Sequence, residues 1–326
     1  MKRTILFFAG LFAALPLVFA QKTVSASATA VAIVLPASDW NVRDHIPFEK
    51  LIVQSHRGAG DLAPENTIEA FELGWKLGTY PEADIRTTKD GVIVTFHDAT
   101  FERVVKGASD ELKKKGVKDL TWEELSKLDV GSWKGSDEFV GRRVSKLEDV
   151  FKVMRGKPER HLYLDIKNVD FERLAELVEK FGVEKQVILA TPKYSVVQQW
   201  SKLIPGSDTL LWMGGTEADK RRTLAELRTA NFAGVTQVQA HTGLNTNSPS
   251  ADLFTPSNAF FLETGKELRE RGILFQALPW DISDPQHYWQ LFDLGVMSFS
   301  TDYPDVVMKG LREYYKQARN PVAKPD

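Results

Sequence analysis

Short apolar and β-branched runs alternate with amphipathic helical patterns from Leu51 almost to the end of the chain. This alternation predicts βα units built around a parallel sheet. Eight runs are predicted strands: Leu51 to Gln54, Tyr80 to Ile85, Leu162 to Ile166, Val187 to Ala190, Thr209 to Trp212, Gly234 to Val238, Ile273 to Ala277 and Val296 to Ser300. The helical patterns between them are Thr67 to Leu77, Phe171 to Phe181, Ser195 to Leu203, Glu217 to Thr229, Phe261 to Arg271 and Gln286 to Leu294. An eightfold βα alternation is what an α/β fold of the (β/α)8 TIM-barrel type requires.

One further strand-like run does not fit that alternation. It begins at Val92, and the short link from Thr87 suits a hairpin turn better than a parallel crossover. Pairing Thr87 with Val92 and counting outward predicts that His97 lies opposite Glu82. We therefore expect a hairpin after the second barrel strand, followed by a small polar insertion from about residue 99 to 146.

Composition and charge narrow the class of protein. The 326 residues are 43% hydrophobic and 26% charged, which favours one large globular domain, predicted to span 51–326 after a linker and N-terminal segment at 21–50. A net charge of -2 and a pI near 6.4 argue against a nucleic-acid partner, because such proteins normally carry a basic face. The absence of cysteine excludes disulfides and a lipoprotein anchor.

The N-terminus has the pattern of a secretory signal. Lys2 and Arg3 precede an apolar run from Thr4 to Phe19, which ends in the cleavage-type sequence Val18-Phe19-Ala20. The alternative is a membrane anchor, but the run is short for a spanning helix. We predict a signal peptide at 1–20, no stable membrane anchor after its cleavage, and a secreted or periplasmic protein.

Acidic and basic residues cluster on and after the first two predicted barrel strands. His56 and Arg57 follow the first strand, at the C-terminal face where barrel enzymes keep their active sites. Glu82 and Asp84 share one face of the second strand, and His97 follows the hairpin. Histidines exchange protons near neutral pH, and arginine offers a fork to anionic oxygens. Together these residues suit metal-assisted chemistry on a phosphate ester.

The next barrel strand also carries charged residues at two alternate positions. Asp165 and Lys167 alternate as Glu82 and Asp84 do, so all four side chains should point into the barrel lumen. Unpaired buried carboxylates are expensive, and three of them together suggest a bound cation. Oxygen ligands without cysteine favour Ca²⁺ or Mg²⁺ over zinc. The alternative is a cluster neutralised by nearby arginine and lysine side chains without a metal.

Two other polar residues are not assigned to the catalytic set. Glu65 stands in a segment with a sufficient structural explanation, because Asn66 and Glu69 have the spacing of a helix-capping pair. Glu65 could still orient a neighbour. His241 lies in a long predicted loop from Gln239 to Pro256, where most histidines are exposed.

The ordered motifs of the chain resemble those of the glycerophosphodiester phosphodiesterase family. They are His56-Arg57-Gly58, Pro64-Glu65-Asn66-Thr67, Glu82-x-Asp84, Thr88-Lys89-Asp90-Gly91, His97-Asp98, Leu164-Asp165-Ile166-Lys167 and Thr301-Asp302-Tyr303-Pro304-Asp305. The resemblance implies the same TIM barrel with a small insertion, and covers nearly all of the chain after residue 50. It departs at Asp165, where the family usually has glutamate, and at Gln276, where we align a tryptophan of the family.

This resemblance implies hydrolysis of a glycerophosphodiester, such as glycerophosphocholine, to glycerol 3-phosphate and an alcohol. His56 would be the base and His97 the acid, while Arg57 and Lys167 would bind the substrate phosphate. The divalent cation would be held by three carboxylates, Glu82, Asp84 and Asp165. Two alternatives remain open: a phospholipase D that acts on lysophospholipid or sphingomyelin, and a non-catalytic phosphate-binding protein.

Overall fold

A computed structural model describes residues 37–245 and 252–317. The strands are β1 (Val53–Ser55), β2 (Tyr80–Thr87), β3 (Ile93–Thr95), β4 (Ser145–Lys146), β5 (Leu162–Asn168), β6 (Val187–Thr191), β7 (Asp208–Met213), β8 (Gln237–Leu244), β9 (Phe254–Thr255), β10 (Leu274–Pro279) and β11 (Ser298–Thr301). The α-helices are α1 (Ile68–Leu77), α2 (Asp110–Lys113), α3 (Trp122–Leu125), α4 (Leu147–Met154), α5 (Phe171–Phe181), α6 (Tyr194–Leu203), α7 (Glu217–Thr229), α8 (Asn258–Glu270), α9 (Pro285–Asp293) and α10 (Pro304–Lys316). The predicted signal peptide lies outside these residues, and no helix within them is long and apolar enough to cross a membrane.

Eight parallel strands close into a barrel in the order β1, β2, β5, β6, β7, β8, β10, β11 and back to β1. The prediction of a TIM barrel is therefore confirmed. The predicted sixth strand, Gly234 to Val238, is misplaced: Gly234 has a φ of 79°, and β8 begins only at Gln237. The turn after α7 occupies the first residues of that run, because Val235 N–H donates to the carbonyl of Phe232.

Apolar side chains fill the space between the barrel and its helices. Leu162, Leu164 and Leu189 are fully buried against Phe151 and Val178 of the flanking helices. The barrel interior is partly polar: the Tyr163 hydroxyl donates to Gln237 Oε1 over 2.7 Å. Such buried hydrogen bonds offset the cost of removing polar groups from water.

The hairpin after the second barrel strand forms, but its register differs from the prediction by one residue. Thr87 of β2 pairs with Ile93 of β3 rather than with Val92. Beyond this pair, Thr88 N–H donates to the carbonyl of Val92, which closes a three-residue turn from Lys89 to Gly91. Gly91 has a φ of 85°, the left-handed conformation that such turns require. His97 therefore does not lie opposite Glu82, and β3 ends at Thr95.

The segment from 99 to 146 is a small folded unit rather than only a polar insertion. Phe101, Val104, Val117 and Leu125 form an apolar cluster with Val94 of the hairpin. The segment returns to the barrel through β4, which pairs antiparallel with β3. Its internal core gives this insertion a fixed position beside the mouth of the barrel.

The part of the N-terminal segment that is described packs on the last two helices. Val42 is fully buried in the main apolar cluster. Asn41 Nδ2 donates to the Tyr314 hydroxyl over 2.7 Å and to Asp293 Oδ1 over 3.0 Å. Asn41 and Val42 thus lie against the outer helices of the barrel.

Candidate active site

The seven residues predicted for the site come together at the mouth of the barrel. Asp84 of β2 pairs in register with Asp165 of β5, so the predicted side-chain parity is correct. A cavity of about 160 Å³ is lined by six of the seven. The seventh, Asp84, is fully buried beside Lys167, whose Nζ lies 3.1 Å from Asp84 Oδ1.

Three carboxylates converge in this mouth. Oxygen atoms of Glu82, Asp84 and Asp165 lie within 4.8 Å of one another, and each residue is at most 6% exposed. Burial and the negative charge of its neighbours raise the pKa of Asp165 to about 7, while burial also raises the pKa of Glu82. Burial opposes ionisation of Asp84 as well, but Lys167 and other cationic groups lower its pKa. Two of the three carboxylates therefore resist ionisation in this buried position.

The donor set fits a divalent cation that prefers oxygen ligands. Asp84 Oδ1 is buried and has no hydrogen-bond partner among the described residues, although Lys167 is near it. Asp84 Oδ2, in contrast, accepts a hydrogen bond from Asn66 Nδ2 over 2.7 Å. Three carboxylates with oxygen atoms this close together match the oxygen ligands that Ca²⁺ and Mg²⁺ prefer, and Lys167 is the cation that now lies beside Asp84 Oδ1.

Each predicted catalytic histidine is hydrogen-bonded to an aspartate through Nδ1. His56 Nδ1 lies 2.6 Å from Asp302 Oδ1, and His97 Nδ1 lies 2.6 Å from Asp98 Oδ1. Burial alone would lower the pKa of His56, but the carboxylates around it raise that pKa to about 9. Such pairing fixes the ring orientation and directs Nε2 of each ring to the opposite side.

Arg57 connects these groups. Its backbone has a φ of 51°, and its N–H donates to Glu82 Oε2 over 3.0 Å. Nη1 donates to Glu65 Oε2 over 3.1 Å, and Nη2 to His97 Nε2 over 2.9 Å. Because guanidinium cannot accept, His97 Nε2 is the acceptor and its proton lies on Nδ1, toward Asp98. One positive group thus lies between the two histidines.

Asn66 is not half of a helix-capping pair, and that prediction is wrong. Thr67 caps α1 by accepting a hydrogen bond from Ala70 N–H, which leaves Asn66 free of this task. Asn66 adopts a φ of 59° and holds Asp84 at two points, since its Oδ1 also accepts from Asp84 N–H over 2.9 Å. The spacing rule located the helix start correctly to within one residue, but a tertiary contact determines the role of Asn66.

Glu65 lies in the site, although its sequence context predicts a structural role rather than a catalytic one. It bonds Arg57 and also Arg103, which reaches in from the insertion. Arg103 contacts Asp98 through Nε and Nη2, both at 2.8 Å. Glu65 therefore orients its neighbours, whereas no pattern in the sequence indicates a role for Arg103.

Aromatic rings form one wall of the cavity. Trp212 of β7 and His241 of β8 stack in parallel with ring centroids 5.0 Å apart, and Trp280 meets His241 edge-on at 5.3 Å. His241 is thus a barrel-strand residue that lines the cavity, and the expectation of an exposed loop position is wrong. Gln276 is fully buried in the barrel interior and does not line the cavity, and two tryptophans, Trp212 and Trp280, contribute to this wall instead.

Comparison with known proteins gives one consistent result. Residues 56–306 match the model of the glycerophosphoryl diester phosphodiesterase family. A glycerophosphodiester phosphodiesterase of Bacillus subtilis (strain 168) is 26% identical over 86% of this chain and 94% of its own length. The human lysophospholipase D GDPD1 is 27% identical over 77% of this chain and 82% of its own length. A glycerophosphoryl diester phosphodiesterase structure from Parabacteroides distasonis ATCC 8503 is similar with a TM-score of 0.60 and 25% identity, covering 85% and 94% of the two chains.

Proposed function

Because the chain belongs to the glycerophosphoryl diester phosphodiesterase family, we propose that it hydrolyses glycerophosphodiesters to glycerol 3-phosphate and an alcohol, with a divalent cation. The observation that carries this proposal is the arrangement around one cavity. Two buried carboxylates, two aspartate-paired histidines and two cationic side chains line a space of about 160 Å³, and a third carboxylate, Asp84, lies beside Lys167 of that lining. This set supplies each group that phosphodiester hydrolysis needs.

We propose that Glu82, Asp84 and Asp165 hold Ca²⁺ or Mg²⁺. When bound, such an ion would withdraw electron density from a phosphate oxygen and offset negative charge in the transition state. Asp165 is one methylene shorter than the glutamate usual in the family, so its ligand oxygen would reach less far. Asn66 keeps Asp84 in place for this task through its two hydrogen bonds.

Arg57 and Lys167 would bind the phosphate of the substrate. The Arg57 Nε atom is buried and has no hydrogen-bond partner among the described residues. Lys167 Nζ, 2.8 Å from Asp165 Oδ2, lines the same cavity. Both cations would face the equatorial oxygens, where the transition state carries its charge.

His56 and His97 would exchange the protons of the reaction. The sequence suggested His56 as base and His97 as acid, but the hydrogen bond from Arg57 favours the reverse order, because it requires His97 Nε2 to be unprotonated. We therefore propose that His97 deprotonates the nucleophile and that His56 protonates the leaving alkoxide. The nucleophile is either water or the neighbouring glycerol hydroxyl, which would give a cyclic phosphate.

The test is a substrate screen of the purified protein. Glycerophosphocholine and glycerophosphoethanolamine are incubated with Ca²⁺, with Mg²⁺ and with a chelator, and glycerol 3-phosphate is measured enzymatically. We expect product only when metal is present. Full activity in metal-free protein would contradict the metal proposal, and no product under any condition would contradict the activity.

A lysophospholipase D activity is the second candidate, and the similarity to the human enzyme of that name favours it. It would use the same residues on a substrate that carries an acyl chain. The same screen therefore includes lysophosphatidylcholine. A large preference for that substrate would move the protein to this class without changing the proposed catalytic residues.

We also propose that the protein is exported to a secreted or periplasmic location. This proposal rests on the sequence of the first 20 residues alone. Expression of the full chain followed by mass spectrometry of the N-terminus tests it. We expect a mature protein that begins at Gln21, and an intact N-terminus would contradict cleavage.

A further inference from the structure

A third histidine, His241, faces the same cavity as the groups that handle phosphate. We propose that His241 is a specificity residue that hydrogen-bonds the hydroxyl groups of the substrate's glycerol moiety. This inference rests on the proposed function and deepens it by assigning recognition of the polyol to one side chain. His241 would bind the substrate without taking part in proton transfer.

Neighbouring aromatic rings hold the His241 imidazole in a fixed orientation. Trp212 stacks on it with an interplanar angle of 10°, and Trp280 meets it at 86°. Trp212 Nε1 lies 3.5 Å from Asp165 Oδ1, and the Trp280 ring packs edge-on against His56 at 5.3 Å. The imidazole is therefore positioned relative to both the carboxylates and a catalytic histidine.

The imidazole has hydrogen-bonding capacity that the protein does not use. Its ring nitrogens have no hydrogen-bond partner among the described residues, whereas Gln54 and Gln239 in the same cavity bond each other over 3.2 Å. Burial, reinforced by nearby positive groups, lowers the pKa of His241 to about 4. A neutral imidazole offers one donor and one acceptor, which matches a hydroxyl group.

The rest of this wall is suited to a small polyol. The cavity has apolar sides formed by Ala190, Leu210 and Leu278. Ser300 also lines it, and the buried Oγ of Ser300 has no hydrogen-bond partner among the described residues. Apolar walls with few convergent polar groups are typical of small-molecule sites. The unpaired groups are neutral, so they suit hydroxyls better than a second anion.

The test compares two ligands with the same phosphate and the same three-carbon chain. Binding of glycerol 3-phosphate and of propyl phosphate is measured by titration calorimetry with Ca²⁺ present. We expect the wild-type protein to bind glycerol 3-phosphate more tightly. His241→Phe keeps the ring stacking and should weaken glycerol 3-phosphate binding roughly three- to tenfold, the range for one neutral hydrogen bond, while propyl phosphate binding stays unchanged.

His161→Phe is the matched control, because His161 also stacks on an aromatic ring, that of Tyr80 at 4.4 Å, but lines a different cavity. Unchanged discrimination in His241→Phe, or none in the wild type, would overturn the inference. If that variant does not fold, ring-nitrogen NMR of the wild type decides: glycerol 3-phosphate must shift the His241 signals and propyl phosphate must not. Lost discrimination in a protein without phosphodiesterase activity would support this inference and refute the proposed function separately.

Discussion

Several side chains at the barrel mouth are each held in position by a hydrogen bond to one partner residue. Asp302 and Asp98 each orient one histidine, and Asn66 holds Asp84. Gly60 makes the first of these pairs possible: it has a φ of 57°, and a Cβ added there would lie 2.1 Å from the Asp302 carbonyl oxygen. The catalytic geometry therefore depends on residues that do not themselves react.

A leaving-group test can assign the roles that we propose for the two histidines. His56→Ala and His97→Ala should each lower kcat for glycerophosphocholine by ~10²–10⁴-fold, as expected for positioned proton-transfer groups. With the 4-nitrophenyl diester of glycerol phosphate, which needs no acid, His56→Ala should lose much less activity and His97→Ala just as much. The control is His45→Ala, because His45 stacks on Trp40 and does not line the cavity. The opposite pattern would restore the order that the sequence suggested, and wild-type turnover would remove that histidine from the mechanism.

Asp165 can be tested as a metal ligand apart from activity. A cation that binds only the folded state raises the unfolding temperature, so Ca²⁺ or Mg²⁺ should stabilise the wild-type protein. Asp165→Glu should keep this shift, because it restores the usual ligand of the family, whereas Asp165→Asn should reduce it strongly. Asp208→Asn, an exposed acid on β7, serves as the control. An undiminished shift in Asp165→Asn would exclude Asp165 from the ligand set.

At the level of elements, the hairpin and the insertion complete the site. β2 continues beyond the barrel, and Arg86 near its end donates to the carbonyl of His97 over 2.7 Å. This contact holds the second histidine although β3 has already ended. The insertion then contributes Arg103, which joins Glu65 to Asp98 and so connects the loop after β1 with the residue that follows His97.

Removing this connection should slow the reaction without unfolding the protein. Arg103→Ala frees Glu65 and Asp98, and we expect kcat/KM to fall about tenfold, a moderate effect because the Arg103 side chain is 38% exposed. Arg142→Ala is the control, because Arg142 joins the insertion to α1 through Glu69. Thermal unfolding separates positioning from stability: Arg103→Ala should lower kcat/KM while its unfolding temperature stays close to that of Arg142→Ala. Equal effects of both variants would mean that Arg103 is only structural.

The whole molecule presents a small and polar mouth. Beside the catalytic cavity lies a second one of about 260 Å³, which shares His56, Arg57 and Trp280 with it. Charged side chains line much of that second cavity, including Asp61, Glu65, Arg103, Lys134 and Asp302. An acyl chain that extended from the catalytic cavity into this second cavity would therefore meet charged groups rather than an apolar surface.

A soluble diester should therefore be the better substrate. We expect kcat/KM for glycerophosphocholine to exceed that for lysophosphatidylcholine, because burying an acyl chain against charged groups would leave their desolvation uncompensated. Glycerophosphoethanolamine should react at a similar rate, since recognition would rest on the phosphate and the glycerol. All substrates are compared below the critical micelle concentration under identical metal conditions. A large preference for the lysolipid would contradict this prediction.

The sequence by itself determined the barrel and the approximate location of its chemistry. Strand and helix periods are local, so α5 and α7 begin and end at the predicted residues. Side-chain parity is also local, and it placed Glu82, Asp84, Asp165 and Lys167 in one lumen once the strands were parallel. The motifs added the histidines and Arg57.

Only the tertiary structure decided which distant side chains meet. The hairpin register depended on whether Thr88 belongs to the turn or to the strand, and one residue changes every pairing. Asn66, Asp302 and Arg103 each bond a residue between 18 and 246 positions away in the chain, namely Asp84, His56 and Glu65. His241 stacks on a ring of the neighbouring strand, that of Trp212. No local pattern encodes such contacts, because they depend on how strands, hairpin and insertion are arranged in space.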